Sequence, residues 1–97
     1  MDLFVGTESE VLNKAEQAYT SIPDYTIQAL HRYIYKRVQT GDFLYAVLSN
    51  DLFRAAGKAD ENNKKAFWDI LIFIYNEIPS PAWGSKEKVE KWLTTSK

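Results

Sequence analysis

Lys65-Ala66-Phe67-Trp68-Asp69-Ile70-Leu71-Ile72-Phe73-Ile74-Tyr75-Asn76-Glu77-Ile78 is the stretch around which the rest of the chain must pack. At about 100° per residue its apolar side chains cover most of a helical wheel. Ala66, Ile70 and Phe73 fall on one side, Phe67, Leu71, Ile74 and Ile78 on the next, and Trp68, Ile72 and Tyr75 on a third. Asn62, Lys65, Asp69 and Asn76 gather on a narrow polar stripe. A helix that is apolar nearly all round is enclosed by protein, in the middle of a bundle or at an oligomer interface. The unbroken apolar run, Ile70 to Tyr75, is far shorter than the roughly 20 residues a membrane span needs. Four short neighbours cannot cover so much apolar circumference, so a closed, symmetric homo-oligomer is expected.

The surroundings of that helix are read from a chain of 97 residues, the length of one domain. A hydrophobic content of 45% with 14% aromatics belongs to a folded globule. Twelve Lys and Arg against thirteen Asp and Glu leave a net charge of −1, which argues against duplex nucleic acid as a partner. A small anion needs only two or three placed cations, so it stays open. With no cysteine, disulfides and thiolate metal sites are excluded, and a reducing cytosol fits. Met1 to Gly6 lacks the features of a signal peptide, and the location expected is cytoplasmic.

Residues 1–6 read as a loose lead-in to a single domain, 1–97. Thr7-Glu8-Ser9-Glu10 has the form of a capping box, followed by a helix with a stripe of Val11, Ala15, Ala18, Tyr19 and Ile22 that ends near Ser21, before Pro23. Pro23 suits the first turn of a second helix with Ile27, Leu30, Ile34 and Val38 as its core stripe and Gly41 as its C-cap. A third helix is expected from Asp42 to Ala56, stopped by Gly57. One of its faces is Leu44, Leu48, Leu52 and Ala55, and the other is Phe43, Val47, Asn50 and Arg54. Asp60 caps the central helix, Pro79 and Pro81 end it, and Ser85 caps a last short helix carrying Val89, Trp92 and Leu93. The fold class is all-α: a compact bundle of about five helices, two of them short.

No catalytic or metal-binding motif is present, and the single histidine, His31, has no motif partner. The chain is therefore read as a non-enzyme with no cofactor. His31-Arg32-Tyr33-Ile34-Tyr35-Lys36-Arg37 mixes cations with aromatics, yet the cations scatter over more than half the wheel. The Phe43, Val47, Asn50, Arg54 seam carries an amide and a guanidinium, which suits either a subunit interface or a ligand wall. Asn50, Asp51, Arg54 and Lys58 lie within two turns. Trp83, Ser85 and Lys86 form a second place where a base could stack and a phosphate could meet a helix start. Equally, Trp83 plugs the bundle's end and Ser85 is a cap.

Gly41-Asp42-Phe43-Leu44-Tyr45-Ala46-Val47-Leu48-Ser49-Asn50-Asp51-Leu52, Ala59-Asp60 with Asn63, Ile74-Tyr75-Asn76-Glu77-Ile78-Pro79 and Trp83-Gly84-Ser85 together resemble a widespread family of small phage and prophage proteins. The likeness covers roughly residues 22–93; Asp42 stands where that family often has a second glycine. Through that family the chain is similar to phage anti-CBASS sponges, helical oligomers that sequester cyclic nucleotide immune signals. The resemblance implies a cyclic dinucleotide bound without cleavage. The ligand-binding candidates are Asn50, Arg54, Lys58, Trp83, Ser85 and Lys86. The alternative is a helical adaptor that binds and inhibits a host protein. Exposed aromatics outside the core point to the adaptor, and a polar pocket of Asn50, Arg54 and Trp83 to the sponge.

Overall fold

The computed structural model describes residues 8–95, with side chains from residue 10 onward. Among the described residues there are seven α-helices, one short 3-10 turn and no strand. The helices are α1 (Glu8–Ala18), α2 (Asp24–Lys36), α3 (Asp42–Leu48), α4 (Leu52–Lys58), α5 (Glu61–Lys65), α6 (Phe67–Glu77) and α7 (Lys86–Thr94), with the 3-10 turn at Ser80–Ala82. The expected lead-in and the Thr7 cap lie outside the described residues. The all-α class holds; five helices become seven because two of the expected helices are each divided.

The first division follows Leu48. Asn50 takes the left-handed conformation (φ 65°), which asparagine tolerates better than most residues. Its amide donates to the Val47 carbonyl at 3.1 Å, and the Asp51 amide to that of Ala46 at 2.8 Å. This pair of bonds is a Schellman closure. Asp51 then starts α4, its Oδ1 accepting from the Arg54 amide at 3.4 Å. The single helix expected over residues 42–56 is thus two, and the continuous Phe43-to-Arg54 seam does not exist. Gly57 lies inside α4 and does not stop it.

The second division is at Ala66 (φ −97°, ψ 8°), between α5 and α6. Asp60 caps α5 as expected, accepting from the Asn63 amide at 2.8 Å. The Tyr25 hydroxyl also donates to it at 2.6 Å. These two bonds, Tyr25's the larger influence, hold the Asp60 carboxyl below the usual range. The offset buries Asn63, whose Oδ1 accepts from Thr26 Oγ1 at 2.7 Å.

The end of α2 also differs. Arg37, not Gly41, closes it in the left-handed conformation (φ 56°). Val38 therefore lies beyond the helix, 46% exposed, and drops out of the core stripe, while Gly41 starts α3. Tyr33, outside the expected core stripe, is fully buried. Its hydroxyl donates to the Ala82 carbonyl at 2.7 Å, and burial pushes its pKa up. Tyr33→Phe leaves that carbonyl without its donor and is expected to destabilise the protein by about 1–3 kcal/mol, read as a lower thermal midpoint. An unchanged midpoint means the hydroxyl is not holding the 3-10 turn.

Ile22, Ile27, Leu30, Leu44, Leu48, Ile70, Phe73 and Ile74 meet in one continuous core. The molecule measures 35 × 30 × 19 Å along its principal axes. α6 buries Ile70, Phe73 and Ile74 and leaves Trp68 and Tyr75 to solvent. The turn after α1 meets it: the Tyr19 and Phe73 rings meet edge-on at 4.8 Å, and Ser21 Oγ donates to Asp69 Oδ2 at 2.5 Å.

Candidate functional site

The solvent side of α6 is where the sequence expectation of enclosure fails within one chain. Trp68 is 71% exposed and Tyr75 74%, while Leu71 and Ile72 are half-covered. Across from them, Leu52 of α4 is 46% exposed, although the sequence puts it on one face with Leu44 and Leu48; the break at Asn50 turns it away from them. Phe53, its neighbour, is 95% exposed.

Between these elements runs a groove of about 770 Å³. Its apolar wall is Val47, Leu52, Trp68, Leu71, Ile72, Ile74, Tyr75 and Trp83, and Asn50 and Asn76 supply its amides. No charged residue lines it among the described residues. Trp83 is fixed at the end of the groove, its Nε1 donating to the Ile78 carbonyl at 3.0 Å and its ring 5.9 Å from that of Tyr75. Gly84 follows with φ 117°, a conformation that favours glycine, and its amide donates to the Leu48 carbonyl at 2.8 Å. That bond pins the turn to the end of α3.

The six sequence-derived candidates do not converge. Asn50 and Trp83 share the groove. Arg54 and Lys86 share a separate cleft of about 260 Å³ with Tyr45, Ser49 and Asp51. Lys58 lies in a third, beside Tyr25 and Asn63. Ser85 caps α7, its Oγ accepting from the Lys88 amide at 3.1 Å. In the Arg54 cleft the Tyr45 hydroxyl donates to Glu90 at 2.8 Å, which with partial burial raises its pKa. Asp51 partly offsets the two cations there.

The excess of apolar residues around α6, which led to the expected oligomer, already marked Trp68 and Tyr75 as surface to be covered; what sequence reasoning missed is that Leu52 joins them in one groove. Among the described residues no group of three or more His, Asp or Glu is placed to hold a metal ion. No described helix is long and apolar enough to cross a membrane. Comparison with protein-family models, with characterised proteins and with solved structures finds no match.

Proposed function

We propose that the protein is a non-catalytic binding module whose working surface is the groove between α4 and α6, and that it holds an apolar segment of a partner protein. In the phage context that the sequence resembles, this is an adaptor that engages a host protein. The observation that carries the reading is the uncharged, aromatic lining of a groove of about 770 Å³ bordered by largely exposed Trp68 and Tyr75. Exposed apolar patches of this kind mark interaction surfaces, and tryptophan and tyrosine dominate binding energy at interfaces. When no partner is present, a second copy is the occupant, giving the homo-oligomer expected from the sequence. The test is affinity capture from bacterial lysate with wild type and with Trp68→Glu/Tyr75→Glu, followed by calorimetry on the purified captured protein. Saturable binding that the double variant loses supports the adaptor. If no captured protein distinguishes the two, the reading fails.

A second reading keeps the cyclic dinucleotide, sequestered in the host cytoplasm without cleavage. What favours it is the meeting of Arg54 and Lys86 in one cleft beside the start of α7. The two phosphates of such a ligand need cations, and the main groove has none among the described residues. A charge-assisted hydrogen bond contributes about 1.5–3 kcal/mol, so Arg54→Ala should weaken binding about tenfold or more with the fold intact. Calorimetric titration with 3′,3′-linked cyclic dinucleotides checks this. No heat with any of them eliminates the sponge, and recovery of hydrolysed ligand points to an enzyme instead.

A further inference from the structure

Arg37 is a non-glycine residue in a left-handed conformation (φ 56°, ψ 38°), a region such residues enter infrequently. Its guanidinium carbon stands 3.6 Å from the centroid of the Trp92 ring, and its Nη1 donates to the Trp92 carbonyl at 3.0 Å. Its Nε is buried and has no hydrogen-bond partner. Trp92 is anchored from the other side, its Nε1 donating to the Tyr33 carbonyl at 3.0 Å. Since Tyr33 is fully buried, the indole under Arg37 is tied to the core.

Lys88 and Lys91, three residues apart on α7 and so neighbours on its surface, line the same cleft of about 440 Å³ as Arg37, Ser80 and Trp92. No Asp or Glu lines it among the described residues. A chain of net charge −1 thus lines one cleft with three cations and, among the described residues, with no carboxylate to offset them. Like charges held together raise the local potential and attract a multiply charged anion. A guanidinium offers a planar fork of donors, and ammonium groups on flexible stems add point charges. Phosphate oxygens match both.

We propose that this cleft binds a terminal phosphate or diphosphate, the group shared by a free nucleotide and the phosphorylated 5′ end of a nucleic-acid strand. The Trp92 stack holds Arg37 ready, and the two lysines close on the anion from solvent. Among the described residues none lines both this cleft and the α4–α6 groove, so the proposal stands apart from the adaptor reading.

The test is calorimetric titration of the full chain with inorganic pyrophosphate at low salt, alongside nuclear magnetic resonance of the tryptophan indole N–H groups. The expected result is saturable one-to-one binding that shifts the Trp92 indole signal. Lys88 and Lys91 are exposed, so Lys88→Gln/Lys91→Gln should stay folded by circular dichroism and bind at least about tenfold more weakly. Tighter binding of a nucleoside 5′-diphosphate identifies a free nucleotide as the source, and tighter binding of a 5′-phosphorylated oligonucleotide identifies a strand end. The proposal is overturned by absence of saturable pyrophosphate binding, by an unmoved Trp92 signal, or by equal affinity in the folded double variant.

Discussion

Phe73→Ala is expected to lower stability by about 3–5 kcal/mol, the usual cost of removing a buried phenyl ring. Phe73 is 2% exposed, sits in the common core and receives the Tyr19 ring edge-on at 4.8 Å. Tyr19 also donates to Glu77 at 2.8 Å, so the ring contact and the hydrogen bond together hold the turn after α1 to α6. Small domains hold about 5–15 kcal/mol in all, so this one change removes a large share. Urea unfolding followed by circular dichroism should show a midpoint moved far to lower denaturant. An unmoved midpoint would mean that the Phe73 face of α6 is not the core face.

The second large effect is on association. Light scattering of the wild type at micromolar concentration is expected to show a dimer or a larger closed assembly. Trp68→Glu/Tyr75→Glu should run as an 11.2 kDa monomer. Aromatic anchors at the centre of an interface cost about 2 kcal/mol or more each on truncation. Losing both then weakens association by well over about a hundredfold. Both side chains are more than two-thirds exposed in the single chain, so the double variant should keep its melting temperature. A wild-type monomer would remove self-association and leave the groove to a different partner.

The all-helical class was legible because the apolar stripes on either side of the central stretch recur at about 3.6 residues, and nowhere does an alternating strand pattern appear. Asp60 and Ser85 as caps were legible too, since each needs only its own carboxylate or hydroxyl and an amide three residues on. The divisions were not. Leu48-Ser49-Asn50-Asp51-Leu52 continues a helical stripe on a wheel, and the stop depends on Asn50 turning left-handed while Asp51 begins the next helix. Asn followed by Asp is a stop-and-start signal whose strength depends on tertiary packing. At the end of α2 the obvious glycine, Gly41, was passed over for Arg37, whose guanidinium stacks on Trp92, a contact far along the chain that no local pattern signals. These local events decided the candidate site. Once α3 and α4 part, Asn50 stays with Trp83 in the groove while Arg54 goes to the cleft with Lys86.

The backbone bond from the Gly84 amide to the Leu48 carbonyl makes one proton a monitor of the whole groove. Amide hydrogens exchange with solvent when their bonds open, and regions that open together exchange together. Gly84 cannot release its proton without freeing the end of α3 from the Trp83 turn, which parts two walls of the groove in the same event. Its deuterium uptake therefore reports the fraction of molecules in which that bond stands open, and a molecule seated in the groove must slow it.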